Sequence, residues 1–353
     1  MPDPYAIALA EVRPRDTAAV GGKAAGLGEL IRAGTRVPPG FALTTAAFAE
    51  VLAGADPDGG HRAAIARLDP DDLDAVGRVT AELRDHVERA PMPGPVRRAV
   101  LAGYRPLEPP GWAPVAVRSS ATAEDGTDAS FAGLQDTYLW VRGEESVLAH
   151  VRRCWASLYN VESVVYRRRH GHPEPAQAMG VVVQRMVDPR CAGVMFTRSP
   201  STGDRSVVVI EAAWGLGSAL VSGEVTPDRM VVNKVTGEIV SRVVADKARR
   251  HRLHPTGVGV LVEDVPDDRR GARCLSDEET AALVTLARRV EAAFGAPQDI
   301  EWAITDDGLY ALQSRPETYW SRRDAAPVAP SHPTAFDHIL DVLGGRRRGE
   351  PGR

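Results

Sequence analysis

Asp299-Ile-Glu-Trp-Ala-Ile-Thr-Asp-Asp-Gly-Leu-Tyr-Ala-Leu-Gln-Ser-Arg-Pro316 is the stretch whose reading decides the fold. Ile300, Trp302 and Ile304 alternate with Asp299, Glu301 and Ala303, the two-residue period of a half-buried strand, and Leu309 to Gln313 is a second apolar run. Between them Asp306-Asp307-Gly308 reads as a three-residue hairpin loop with Gly308 in the left-handed position. That loop sets Thr305 opposite Leu309, Glu301 opposite Gln313 and Asp299 opposite Arg315. One carboxylate, one amide oxygen and one guanidinium then share a sheet face. Taken alone the segment reads in two ways: an exposed hairpin with a cross-strand Asp–Arg pair, or hard oxygens for Mg²⁺ beside an arginine fork for the phosphates the metal bridges.

Working outward, length and charge set the bounds. The 353 residues can hold one large domain or two ordinary ones with ample core. A net charge of −4 gives no reason to expect nucleic acid or an anionic membrane as partner. No apolar run reaches the length of a membrane span, and Met1-Pro-Asp-Pro-Tyr5 has neither a basic nor an apolar leader region, so a cytoplasmic location is expected. Cys154, Cys191 and Cys274 are odd in number and far apart, which reads as three buried small apolar residues rather than a disulfide frame or a metal site. Of the 43 basic residues only Lys23, Lys234 and Lys247 are lysines. Under such an arginine bias a retained lysine suggests a position where a compact ammonium matters.

Lys23 lies in Gly21-Gly-Lys-Ala-Ala-Gly-Leu-Gly-Glu-Leu30, with Leu27, Leu30 and Ile31 at helical spacing behind it. A glycine pair entering a helix exposes backbone N–H groups and the ammonium adds a point charge for phosphate; a turn-to-helix junction with a solvated lysine is the other reading. It is not a Walker A loop, because Thr17 stands where the first Gly belongs and Ala24 where Ser or Thr belongs. Val115 to Val117 reads as a short strand delivering Arg118 into the small-residue loop that opens with Arg118-Ser-Ser-Ala-Thr-Ala-Glu-Asp125 and runs to Gly133, a composition suited to a lid over phosphates. Helices are expected around a strand at Gly40 to Thr44, over 71 to 103 in two pieces, from 144 to about 159, and from the Ser276/Glu279 capping box through Phe294. Tyr138 to Val141, Met179 to Val187, Val194 to Phe196, Val207 to Ile210, Met230 to Val232 and Ile239 to Val244 read as strands, with 252 to 275 irregular and a mobile tail after Tyr319. The apolar Met179 to Val187 strand could form the adenine edge of a nucleotide cleft, or simply core.

Taken together, these blocks resemble the amino-terminal, ATP-grasp nucleotide-binding domain of the phosphoenolpyruvate synthase, pyruvate phosphate dikinase and rifampin phosphotransferase family, from about Gly21 to Glu317. Beyond the segments quoted, the matching motifs are Ala129-Ser-Phe-Ala-Gly133 with Gln135-Asp-Thr137, Gln184-Arg-Met-Val187, Gly193-Val-Met-Phe-Thr197, Trp214-Gly-Leu-Gly217, Val221-Ser-Gly223 with Pro227-Asp228, and Gln313-Ser-Arg-Pro-Glu-Thr318. The resemblance implies an α/β (α+β) ATP-grasp fold of two lobes, 1–190 and 191–320, with a flexible tail at 321–353. It implies ATP and Mg²⁺ as cofactors. Lys23, Arg118 and Arg315 would grip the phosphates and act catalytically, Glu301 and Gln313 would hold the metal, and Gln184, Met186 and Val187 would meet the adenine. Thr137 and Glu211 are further nucleotide contacts by the same likeness.

The family's reaction has two stages. ATP becomes AMP and phosphate as the β-phosphoryl group passes to a histidine on a swivelling domain, which carries it to an acceptor held elsewhere. None of the nine histidines has the family's Gly, Thr, Ser and His-rich setting: His170 and His172 fall in a basic loop and His332 and His338 in the tail. The expectation is therefore the ATP-binding component of a split dikinase, similar to the corresponding subunit of phenylphosphate synthase. Its partners would be a histidine-bearing swivelling phosphocarrier, an acceptor-binding subunit and a small-molecule acceptor. Two alternatives stay open: a self-contained ATP-grasp kinase or ligase that yields ADP, and a non-catalytic nucleotide-sensing module.

Overall fold

A computed structural model describes residues 3–107, 114–122, 136–174, 177–254 and 259–320. The lid loop expected beyond Thr122 and the tail expected beyond Trp320 lie outside these residues. Met1–Glu317 forms one compact unit and Thr318–Arg353 a second, of which 318–320 are described.

The described strands are β1 (Ala6–Ala8), β2 (Gly40–Leu43), β3 (Val115–Ala121), β4 (Thr137–Val141), β5 (Met179–Arg185), β6 (Cys191–Phe196), β7 (Val207–Trp214), β8 (Asp228–Asn233), β9 (Ile239–Val243), β10 (Arg249–Leu253), β11 (Val260–Asp264), β12 (Gln298–Thr305) and β13 (Gly308–Pro316). The helices are α1 (Thr17–Val20), α2 (Gly22–Arg32), α3 (Thr45–Ala55), α4 (Gly60–Arg67), α5 (Leu73–Arg89), α6 (Gly94–Tyr104), α7 (Glu144–Ala156), α8 (Val161–Arg169), α9 (Ser218–Val221), α10 (Asp267–Arg270) and α11 (Asp277–Phe294). A five-stranded sheet runs β1-β2-β5-β3-β4, a six-stranded one β13-β12-β6-β7-β8-β9, and β10-β11 is a separate hairpin. The fold is mixed α/β with antiparallel pairing throughout the three sheets.

Alternation decides which face of each sheet is core. In the first sheet Val115, Val117, Val181 and Val183 pack with Val147, Val151, Cys154 and Trp155 of α7 and with Val76, Leu83 and Val87 of α5. The opposite face, with Ala42 and Val182, joins a second core that also contains Leu27 and Leu30 of α2. In the second sheet Ile300, Trp302, Ile304, Met195 and Ile210 face Leu283, Val284, Ala287 and Val290 of α11. Each fully buried Leu or Val contributes about 1.5–3 kcal/mol. The Ser276 capping box forms as expected: its Oγ accepts from Glu279 N–H at 3.1 Å and the Glu279 carboxylate accepts from Ser276 N–H at 2.8 Å. Gly295, at φ +68, ends that helix.

Three expectations need correction. Arg118 is not in a loop: β3 continues through Ala121 because each of its residues pairs along β5, Arg118 with Val182 and Ala121 with Met179. The residues 252 to 275 are not irregular throughout, since the end of β10, all of β11 and α10 lie within the span; Arg249-Arg-His-Arg-Leu253 has only one apolar residue and reads weakly as a strand. The hairpin turn has two residues, Asp306 and Asp307, with Thr305 opposite Gly308 and Ile304 opposite Leu309. A bulge between Glu301 and Trp302 then adds one residue on β13, which restores Glu301 opposite Gln313 and Asp299 opposite Arg315. The three cysteines are free and buried, as expected.

Candidate functional site

Helix α2 enters the molecule between the two sheets, and its glycines explain how. Gly21 has φ +81, and a Cβ there would stand 1.9 Å from the Ser120 carbonyl oxygen. Ser120 in turn caps the helix, its Oγ accepting from Ala24 N–H at 3.1 Å. On the other side a Cβ on Gly26 would meet the Ser314 carbonyl oxygen at 3.3 Å. Helix α2 and the glycine before it thus clasp β3 to β13. Lys23, in the first turn, is half-buried and near enough for its charge to pull down the Cys154 thiol, which burial and Asp136 push up.

The same clasp brings β3 to the hairpin. Arg118 Nη1 donates to the Leu312 carbonyl oxygen at 3.2 Å, Nη2 donates to Gln313 Oε1, and Nη2 stands 3.7 Å from Glu301 Oε2. Its Nε is buried without a partner among the described residues. An orphaned guanidinium N–H is costly unless something else accepts from it. One row along, Arg315 Nε donates to Asp299 Oδ2 at 2.8 Å, and burial more than that arginine sets the Asp299 carboxyl above its ordinary range.

Register places a further residue in line. Gln313, Glu301, Val194, Glu211 and Arg229 are paired successively across β13, β12, β6, β7 and β8, so their side chains share one face. Glu211, with Arg229 Nε at 3.8 Å, lies two strand spacings from Glu301, roughly 10 Å. Against this face opens a cleft of about 300 Å³. Arg118, Thr137, Gln184, Met186, Val187 and Glu301 line it, together with Arg185, Leu216 and Val221, which stand in the quoted motifs without an assigned role, and Leu139, Pro189 and Ser218, which lie outside them. Lys23, Glu211, Gln313 and Arg315 are not in its lining; Gln313 reaches it through Arg118. Gln184 is pinned by its amide donating to the Pro38 carbonyl oxygen at 3.0 Å, and Met186 N–H donates to the Pro114 carbonyl oxygen at 2.9 Å.

The donor set fits a hard cation. Glu301 carboxylate and Gln313 amide oxygen are cross-strand neighbours, both turned to one guanidinium, and two such oxygens suit Mg²⁺, which keeps waters and takes phosphate oxygens for the rest. Among the described residues no group of three or more His, Cys, Asp or Glu gathers to hold a metal. No described helix is long and apolar enough to cross a membrane.

Comparison with known proteins points to the same family. The family described as pyruvate phosphate dikinase, AMP/ATP-binding domain matches residues 17–335. The chain is 47% identical over 313 residues to a rifampicin phosphotransferase of Streptomyces sp., covering 88% of this chain and 35% of that one. It is 42% identical over 318 residues to a probable phosphoenolpyruvate synthase of Methanothermobacter thermautotrophicus, covering 89% of this chain and 46% of that one. The chain thus spans less than half the length of these curated relatives. Among solved structures, D-alanyl-alanine synthetase A from Vibrio cholerae matches at a TM-score of 0.24 and 11% identity, over 66% of this chain and 52% of that one.

Proposed function

This chain belongs to the pyruvate phosphate dikinase AMP/ATP-binding domain family, and on that premise we propose that it is the ATP-binding component of a dikinase-type phosphotransferase. The observation that supports this best is the meeting of Arg118, Glu301 and Gln313 at one end of a cleft whose other end is formed by Met186, Val187 and Pro189. The first group suits a metal-bound triphosphate and the second an aromatic base. In this reading the two sheets form the lobes 1–190 and 191–320.

Glu301 and Gln313 would hold Mg²⁺, which when bound supplies charge neutralisation for phosphate oxygens. The chain's own cations do the rest. Arg118 would turn its unpartnered Nε, and the Nη groups now on Gln313 and Leu312, to phosphate oxygens. Lys23 would add a point charge from the helix start, and Arg315 would exchange Asp299 for phosphate. Thr137 and Glu211 would make further nucleotide contacts, with Gln184 holding the base-side segment in place. Phosphoryl transfer needs mainly positioning and charge stabilisation, which these groups provide. The β-phosphoryl group would pass to a histidine on a separate swivelling domain or protein, and from there to a small-molecule acceptor.

The test is label transfer with Mg²⁺ and either β- or γ-labelled ATP in an extract of the host. Label from the β position only, appearing on a second polypeptide in an acid-labile, alkali-stable linkage with AMP released, is the expected result. ADP formation with no labelled polypeptide would replace this reading by direct phosphorylation of a small molecule.

A further inference from the structure

Ser218, His251 and Glu224 form a hydrogen-bonded chain that none of the roles above uses. Ser218 lines the cleft, its Oγ is 2.9 Å from His251 Nδ1, and His251 Nε2 is 3.2 Å from Glu224 Oε2. His251 is 7% exposed and is locked in place by its backbone. Its carbonyl oxygen accepts from Leu216 N–H at 2.9 Å, and Gly215 bridges to it at φ +72, where a Cβ would stand 2.3 Å from that oxygen. The triad is thus built by docking β10 on the loop after β7.

The polarity of this chain follows from its last member. Hydrogen bonds from Ser222 and His251 hold the Glu224 carboxyl below its ordinary range, so it is ionised and can only accept. With Glu224 accepting at 3.2 Å, Nε2 of His251 is the donor on that side, and the tautomer protonated there alone leaves Nδ1 to accept from Ser218. The Ser218 hydroxyl hydrogen is therefore committed to His251. What Ser218 presents to the cleft is an oxygen acceptor.

Position decides what it meets. Gly215 N–H donates to the Arg190 carbonyl oxygen at 3.0 Å, which sets this loop over the Met186 to Arg190 end. From Val194, in the row of Glu301, to Cys191 is three residues along β6, roughly 10 Å. A hydroxyl, imidazole and carboxylate in series is also the composition of an activated nucleophile, but attack requires approach to about 3–3.5 Å, and this hydroxyl is at the far end from the phosphate groups. The ribose, next to the phosphates, would lie nearer the Val194 row.

We propose that Ser218 reads the base: it accepts a hydrogen bond from the exocyclic amine of adenine, with His251 and Glu224 as positioning residues that fix its polarity. The proposal rests on the nucleotide reading of the same cleft. A purine with a carbonyl in place of the amine would set acceptor against acceptor, an arrangement that sites discriminate well.

The test compares equilibrium binding of Mg-ATP, Mg-ITP and Mg-2′-deoxyATP to the full chain. The wild type should prefer ATP to ITP, and Ser218→Ala should reduce that ratio by roughly tenfold, the value of one lost neutral hydrogen bond. Ser218→Thr should restore it, and 2′-deoxyATP should weaken in parallel with ATP. His251→Phe, with its fold checked by melting, should also level the ATP-to-ITP ratio, because the freed hydroxyl can then donate. An unchanged ratio in Ser218→Ala would overturn the proposal while leaving the nucleotide reading standing. A change confined to the ATP-to-deoxyATP ratio would overturn it in favour of a ribose contact. Failure of the wild type to bind ATP would refute both readings.

Discussion

Gly21→Ala is the substitution that most directly tests how the clasp creates the site. Gly21 sits at φ +81 and ψ 169, a conformation nearly reserved for glycine, and forcing alanine into it costs on the order of 1–3 kcal/mol. The new Cβ would stand 1.9 Å from Ser120 O, 2.4 Å from Ser120 C and 2.6 Å from Ser120 Oγ. Two of these atoms are backbone in β3, paired on one side to β5, so the strand cannot retreat cheaply. To reach an ordinary approach the helix start must move by about 1 Å, with overpacking strain of about 1–3 kcal/mol. The combined cost is about 2–6 kcal/mol, which lowers the melting temperature by roughly 5–15 °C. That movement also breaks the Ser120 cap on Ala24 and displaces Lys23, and a 1 Å misplacement of a binding group can cost about a hundredfold. Calorimetric melting and Mg-ATP titration of the variant should show both losses. Gly54→Ala is the control: it lies within α3 with nothing within 4 Å of the added Cβ, and should stabilise by about 0.5–1 kcal/mol. If Gly21→Ala melted within 2 °C of the wild type and bound ATP equally well, the clasp argument would be wrong.

Glu301→Ala should abolish the Mg²⁺-dependent part of ATP binding while leaving melting nearly unchanged, since its 3.7 Å pair with Arg118 involves a carboxylate 34% exposed; titrations with and without Mg²⁺ read both. Lys247→Met should destabilise by about 3–5 kcal/mol, because Lys247 and Asp228 are 0% and 4% exposed, 2.5 Å apart, and the orphaned carboxylate stays buried. In denaturant titration Lys247→Met with Asp228→Leu should recover part of that loss, and a single variant as stable as wild type would refute the assignment. Burial pushes the Cys191 thiol up to about 12, and Cys154 and Cys274 are raised further. All three should therefore resist a maleimide at neutral pH until the chain is unfolded, and mass spectrometry of one native adduct would contradict that.

The hairpin was legible because two-residue alternation is a property of adjacent residues, and Glu301 opposite Gln313 follows from it. The route was misread: a three-residue loop and a two-residue turn with a later bulge end in the same pairing, and nothing in Ala311-Leu-Gln313 announces the bulge. Arg118 stands out in the sequence but reads as part of a loop, since Ser119, Ser120 and Ala121 have little strand preference of their own. They are strand because β5 lies alongside. Ser218, Glu224 and His251 carry no local signal at all. Serine and histidine are 33 residues apart, and only the docking of β10 on Gly215 unites them. Glu211 was carried over by likeness alone, and the row from Gln313 to Arg229 gives it a place that spacing could not.

Arg118 shows why the pieces of the site depend on one another. An arginine 13% exposed on a central strand must find acceptors, and here they are Gln313 Oε1 and the Leu312 carbonyl oxygen, both in the hairpin that would hold the metal. The bulge is what turns Leu312 into that position, because it leaves Leu312 outside the cross-strand pairs. The guanidinium is thereby fixed before any nucleotide arrives, at little further loss of side-chain freedom. Its remaining buried Nε–H is the one demand these partners leave unmet, and a phosphate oxygen is an acceptor of the right charge to meet it. Gln313, which steadies Arg118 in the free chain, is also one of the two residues that would hold Mg²⁺, and a guanidinium freed from that oxygen would be available to a phosphate oxygen.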